Sequence, residues 1–216
     1  MTDAVVFDLD GVLVDSEPLW DEVRRDVVAS AGRSWPADAT RALQGMSTPE
    51  WSAYLTDVVG VPGRPEDVAA DVIDGMVARY RERLPLLPGA VEAVQRLASE
   101  WPLGLASSSP RRLIDAVLES AHLTEHFRVT VSTEEVAAGK PSPAVYDEVV
   151  RRLGADSSRV VAIEDSSNGL RSASAAGVRV IAVPNASYPP QDDALALADL
   201  VVRSLDEVTT TLVEGS

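Results

Sequence analysis

No cysteine occurs among the 216 residues, and histidine occurs only twice. That excludes a disulfide framework, a thiolate zinc site and a thiol nucleophile, and it suits a reducing compartment such as the cytoplasm. Long apolar runs are missing too: none approaches the roughly 20 residues that cross a bilayer. Met1 leads through Asp3 into a strand pattern rather than into a cationic signal region, so no membrane partner is expected. Positive charge is scarce. Lys and Arg number 19 against 34 Asp and Glu, a formal net charge of −15 with a pI near 4.4. Such a chain repels the nucleic-acid backbone, and its scattered arginine pairs form no basic stripe to offset this. Hydrophobic residues at 45% and charged residues at 25% are ordinary for a globular protein, long enough for one core plus a small inserted unit. A monomer is the default expectation.

Short β-branched runs alternate with helical patterns. Strands are expected at Ala4–Phe7, Leu103–Ala106, Arg128–Ser132, Val160–Ile163, Val178–Val183 and, more weakly, Asp199–Val202. Between them lie amphipathic stretches such as Val91-Val94-Leu97-Ala98 and Leu113-Val117-Leu118. Strands alternating with helices predict a parallel sheet covered on both faces. From about Ser16 to Leu84 the alternation stops and only helical spacing is left. Leu19, Val23, Val27 and Ala31 repeat every four residues; Trp51, Tyr54, Leu55 and Val58 follow, then Val68, Val72, Ile73, Met76 and Val77. Ser16 is placed to cap the first of these helices, and Thr48-Pro49 reads as a cap followed by proline in the first turn. The expected organisation is an α/β, Rossmann-like core at 1–15 and 86–216, with an all-helical unit at 16–85 inserted after the first strand. The Ser-Tyr-Pro-Pro stretch at 187–190 reads as a loop.

In an open parallel sheet, ligands bind outside the carboxyl ends of the strands. Four such ends carry chemistry here. Ala4–Phe7 runs into Asp8-Leu9-Asp10-Gly11, and Leu103–Ala106 into Ser107-Ser108-Ser109-Pro110. The strand at 128–132 is followed by Gly139-Lys140-Pro141, and Val160–Ile163 by Glu164-Asp165-Ser166-Ser167. Any one of these clusters has an ordinary explanation, since Asp and Ser start turns and cap helices. Four converging on one sheet edge do not. Phosphoryl transfer asks for these residue types: carboxylates for a hard cation such as Mg²⁺, and hydroxyl, ammonium and helix N-termini for phosphoryl oxygens. Ser109-Pro110 and Ser142-Pro143 each resemble an N-cap with proline at the first helical position.

In order and spacing these segments resemble the four motifs of the haloacid dehalogenase superfamily, and the resemblance covers nearly the whole chain. Asp8-Leu9-Asp10-Gly11-Val12 is similar to the first motif, Ser107 to the second, Lys140 to the third, and Glu164-Asp165-Ser166-Ser167-Asn168-Gly169 to the fourth. The resemblance implies a helical cap inserted after the first motif and a phosphatase acting on a small phosphorylated metabolite. Asp8 would be the nucleophile, and Asp10 the acid and base that serves the leaving oxygen and then the water. Ser107, Ser108 and Lys140 would bind phosphate. Asp8, the Asp10 carbonyl and Asp165 would hold Mg²⁺, with Glu164 in direct or water-mediated support.

Two other readings stand beside it. True dehalogenases lack the second aspartate, which is present here. A sugar phosphomutase resembling β-phosphoglucomutase shares the framework, but it carries a histidine and an arginine in its cap where this chain has Trp20 and Thr48. A catalytically silent module would have lost Asp8 or Asp10, and both are present. Glu17, Trp20 and Thr48 are the cap residues that could meet substrate, although burial within the cap accounts equally for Trp20 and Trp51. His122 and His126 are four apart, as zinc ligands on a helix can be, but no third ligand accompanies them. Phosphorylated sugars, sugar alcohols, phosphoglycolate and nucleoside monophosphates stay open as substrates.

Overall fold

The computed structural model describes residues 1–43, 46–185 and 189–215. Two compact units divide the chain, one made of Met1–Asp15 with Leu84–Ser216 and the other of Ser16–Arg83. The first opens with β1 (Ala4–Phe7), whose four side chains are all buried.

Among its described residues the regular structure of the second unit is all helical, with α1 (Glu17–Ser30), the single turn α2 (Ala39–Ala42), α3 (Thr48–Asp57) and α4 (Pro65–Glu82). Helix α4 packs on both α1 and α3, burying Val68, Val72, Ile73, Met76 and Val77 as its spacing predicts. On α1 the buried residues are Trp20, Val23, Arg24 and Val28, not the expected stripe Leu19-Val23-Val27-Ala31. An apolar repeat of four slips against a 3.6-residue turn, so the buried face runs through positions 20, 23, 24 and 28 rather than along every fourth residue. On α3, Trp51 and Leu55 of the expected stripe are buried, together with Ser52, whereas Val58 is exposed. Ser16 occupies the position before α1 but does not cap it through its side chain. The cap of α3 is Ser47 rather than Thr48: the Glu50 carboxylate accepts from the Ser47 amide at 2.8 Å and its hydroxyl at 2.6 Å. A glutamate three residues on makes Ser47 the better start.

The first unit resumes at Leu84. The outgoing and returning strands of chain run side by side there, with Val14 bridging Leu86 antiparallel and the Leu87 amide donating to the Leu13 carbonyl at 2.9 Å. Then come α5 (Ala90–Ala98), β2 (Leu103–Ser107), α6 (Arg111–Ser120), β3 (Phe127–Ser132), α7 (Ala144–Leu153), β4 (Val160–Glu164), α8 (Ser167–Ala175), β5 (Arg179–Ala182), α9 (Asp192–Leu195), β6 (Leu200–Val201) and α10 (Thr210–Glu214). Helices α6 and α7 begin one residue later than the Ser-Pro pairs suggest, with Pro110 and Pro143 at the cap positions. Among the described residues the strands form one parallel sheet of order β3-β2-β1-β4-β5-β6. This is the α/β Rossmann-like architecture expected.

Strand alternation divides the core between two faces. Ala4, Val6, Val160, Ala162, Val180 and Ala182 share one buried cluster with Tyr146, Val149 and Leu153 of α7 and Leu170 and Ala173 of α8. Strands buried on both faces explain the near-continuous apolar runs of β1 and β4. The strand order reverses beside β1, whose neighbours are β2 and β4, and a crevice opens at such a switch point. His122 and His126 lie past the end of α6, His122 with φ 57° in a turn and His126 in a single 3₁₀ turn, so they do not share a helix face. Of the expected loop at 187–190, Ser187 and Tyr188 lie outside the described residues.

Candidate active site

Asp8 follows β1 directly and extends its ladder, its amide donating to Ile163 of β4 at 3.0 Å. Glu164 closes β4, and Asp165 follows it. The pairing of Phe7 with Ile163 therefore delivers three carboxylates to one place by register alone. Asp8, Glu164 and Asp165 are all buried, with one oxygen from each lying within 4.8 Å of the others. Two glycines make room for them. Gly11 turns the chain at φ +82°, and a Cβ there would overlap the Asp165 carboxylate. A Cβ on Gly169, in the first turn of α8, would overlap that of Glu164. Ser166 caps this helix by accepting from the Gly169 amide at 3.1 Å.

Lys140 supplies the cluster's cation. Its ammonium donates to Asp8 Oδ1 at 2.8 Å, Glu164 Oε1 at 2.6 Å and the Ala106 carbonyl at 3.0 Å. Glu164 is fully engaged: Tyr146 also donates to Oε1 at 2.7 Å, and Oε2 faces the Asp165 amide at 3.2 Å and the Ser166 hydroxyl at 3.5 Å. Asp165 is different, since its Oδ1 is buried without a hydrogen-bond partner.

One ammonium among three carboxylates leaves the cluster short of positive charge. Burial, together with the charge of Glu164, raises the Asp8 carboxyl to about 7 against the opposing pull of Lys140. Burial and the Asp8 charge push Asp165 to about 9. Burial draws the Lys140 ammonium down, yet the charges of Asp8 and Glu164 overcome it and hold it above its ordinary value. Burial also lifts the Tyr146 phenol, so it stays a donor. An oxygen-only set of buried acids with an orphaned oxygen suits a hard divalent cation, which would supply the missing charge.

Asp10 lies two residues past Asp8 and is partly buried. Its Oδ2 accepts from the Ser109 hydroxyl at 2.6 Å, with the Ser107 hydroxyl 3.5 Å away. Ser107 is buried at the end of β2, where its oxygen accepts from the Ser109 amide at 2.9 Å. Ser108 is exposed, its carbonyl accepting from Thr133 Oγ1 at 3.4 Å. The first unit thus brings together Asp8, Asp10, Ser107, Lys140, Glu164 and Asp165. Ser109 and Tyr146 join them without having been singled out for the site, because a cap serine and a tyrosine on an apolar helix face carry no motif.

In the helical unit, Glu17 is exposed in the first turn of α1 and Thr48 is partly buried as the first residue of α3. Trp20 and Trp51 are buried with ring centroids 5.9 Å apart, and the Arg24 guanidinium lies 4.8 Å and 5.0 Å from them. Burial lowers Arg24 to about 10 against the charges of Glu17 and Asp21. This buried arginine was hidden in the sequence by its apolar neighbours.

Comparison with known proteins agrees with the geometry. Residues 2–177 match the model of the haloacid dehalogenase-like hydrolases. Hexitol phosphatase B of Escherichia coli K12 is 38% identical over 212 residues, covering 95% of this chain and 94% of that protein. The phosphorylated carbohydrates phosphatase of Thermotoga maritima is 34% identical over 180 residues, covering 83% of each. A solved Thermotoga maritima structure, provisionally assigned as a β-phosphoglucomutase, superimposes with a TM-score of 0.82 at 31% identity over 100% of both chains. The chain belongs to the haloacid dehalogenase-like hydrolases.

Proposed function

We propose that this hydrolase is a Mg²⁺-dependent phosphatase that removes phosphate from a phosphorylated sugar or sugar alcohol through an aspartyl phosphate on Asp8. The observation that carries it is the trio Asp8, Glu164 and Asp165, buried within 4.8 Å of one another beside Lys140, with one Asp165 oxygen unpartnered. Asp8, Asp165 and the Asp10 carbonyl would hold the cation, while Glu164, its oxygens already taken, supports the site through Lys140. Bound there, Mg²⁺ would draw charge from the phosphoryl oxygens and let an anionic carboxylate approach an anionic phosphate.

An Asp8 oxygen forms a bond to phosphorus as the bond to the leaving oxygen breaks. That oxygen takes a proton from Asp10. A water oxygen then bonds to phosphorus, its proton passes to Asp10, and the Asp8 carboxylate departs as inorganic phosphate is released. Lys140 and Ser107, with the turn at Ser108, hold phosphoryl oxygens. Residues 1–15 and 84–216 make the catalytic core in this reading, and 16–83 the cap that selects the leaving group. A net charge of −15 opposes self-association, which supports a monomer, and a cysteine-free chain supports work in the cytoplasm.

Likeness to the provisionally assigned mutase keeps a second reading in view. A mutase must protect its phosphoenzyme from water while an intermediate turns over, which calls for titrating or cationic groups in the cap. Trp20 and Thr48, at the corresponding positions, are neither. A screen of sugar and sugar-alcohol phosphates, read by phosphate release with Mg²⁺ and again with EDTA, tests the proposal. Release that EDTA abolishes and Mg²⁺ restores is expected. Primer-dependent conversion of β-glucose 1-phosphate to glucose 6-phosphate, faster than phosphate release, would favour the mutase.

A further inference from the structure

Ser109 stands apart from the other serines of its turn. Its side chain is nearly buried, 6% of the residue being exposed, and its hydroxyl makes the 2.6 Å bond to Asp10 Oδ2. The backbone around it is fixed by other groups. Its amide donates to the Ser107 hydroxyl at 2.9 Å, and its carbonyl accepts from the Ser132 hydroxyl at 2.7 Å. The turn therefore does not need the Ser109 hydroxyl to keep its shape. What the hydroxyl fixes is Asp10, a partly buried carboxylate in the turn that follows β1. A bond of this length to a carboxylate is charge-assisted and directional.

We propose that Ser109 is a positioning residue for Asp10, aiming the carboxyl group that delivers the proton to the leaving oxygen and takes one from water. The inference rests on the acid–base role of Asp10 in the phosphatase reading. Ser107 and Lys140 bind the phosphoryl group, whereas Ser109 acts on proton transfer alone. Loss of its hydroxyl therefore slows the steps that move a proton and leaves the attack of Asp8 on phosphorus intact when the leaving group needs no proton.

The test compares wild type, Ser109→Ala and Ser109→Thr on two probes, sorbitol 6-phosphate and p-nitrophenyl phosphate, with Mg²⁺ present. On sorbitol 6-phosphate, Ser109→Ala is expected to lower kcat about tenfold to a hundredfold with KM changed by less than about threefold. On p-nitrophenyl phosphate its first turnover keeps the wild-type rate while the steady state slows, so nitrophenolate appears in a burst near one equivalent per enzyme. Ser109→Thr, which keeps the hydroxyl, restores both. Should Ser109→Ala melt below the assay temperature, Ser109→Cys keeps the volume with a weaker donor and is expected to show the same split to a smaller degree. Equal slowing of the nitrophenyl first turnover and the steady state, or wild-type behaviour on both probes, overturns the positioning role while the phosphatase stands. A wild-type protein that releases phosphate from neither probe nor any other monoester overturns the phosphatase reading and this inference with it.

Discussion

Asp8 sits where three influences oppose one another. Burial and the Glu164 charge favour its neutral form, and the Lys140 ammonium at 2.8 Å favours the carboxylate that a nucleophile requires. Asp10, two residues on, accepts from the Ser109 hydroxyl at 2.6 Å, a bond that orients the carboxyl group to which the proposed mechanism gives the proton transfers. The two side chains differ only in place, so the same substitution separates their roles. Asp8→Asn should lower turnover at least about a thousandfold on every substrate, because an amide is a poor nucleophile toward phosphorus. Asp10→Asn should lower turnover about 10²–10⁴-fold on alkyl phosphates, yet still release a first equivalent of nitrophenolate from p-nitrophenyl phosphate. Initial rates with both substrates check this; substantial turnover of an alkyl phosphate by Asp8→Asn would remove the nucleophile assignment.

Apart from Lys140, which lies in the connection between β3 and α7, the site residues expected from the sequence come from strand ends and the turns that follow them, and that is why most of it was legible. The apolar runs of β1, β2 and β4 locate their own carboxyl ends, so Asp8, Ser107 and Glu164 follow from strand position. Ser109 and Tyr146 were not legible as site residues, because their roles depend on the β2–α6 turn and the α7 packing rather than on spacing. Helix faces were harder than helix existence: Arg24 lies buried between Trp20 and Trp51 at a place where any pattern reads an exposed charge. Caps slipped by a residue for a related reason, since Ser47 with Glu50 competes with Thr48-Pro49 and makes more bonds. The β1 exit turn is tightly constrained. Gly11→Ala places a methyl against Asp165 at a φ of +82°, and the left-handed conformation alone costs about 1–2 kcal/mol. Displacing Asp165 should raise the Mg²⁺ concentration for half-maximal activity by about tenfold or more. A Mg²⁺ titration of activity decides it, and an unchanged midpoint would mean that Asp165 does not depend on this turn.

Across the whole molecule the cluster couples stability to pH and, in the proposed function, to metal. In the metal-free protein Asp8 keeps its proton to about 7 and Asp165 to about 9, whereas the unfolded chain gives both up near 3.8. The folded state therefore binds more protons, and stability falls as pH climbs from the ordinary carboxylate range through those values. A cation requires the ionised forms, so its affinity rises over the same interval. Mg²⁺ at a hundred times its dissociation constant should add about 2.7 kcal/mol and raise the melting midpoint by roughly 5–10 °C near neutral pH and above. At a fixed Mg²⁺ concentration the gain should shrink toward pH 5; an equal gain at both ends would place the cation away from these carboxylates. In the proposed mechanism, turnover passes through a phosphate ester of one side chain. Borohydride reduces an aspartyl phosphate to homoserine, so the enzyme can be quenched during turnover of a sugar or sugar-alcohol phosphate that it hydrolyses, reduced, digested and sequenced by mass. Homoserine is expected at position 8, formed only when substrate and Mg²⁺ are both present and absent from Asp8→Asn. An enzyme that is turning over and carries unmodified aspartate at position 8, or homoserine at another position, would contradict it.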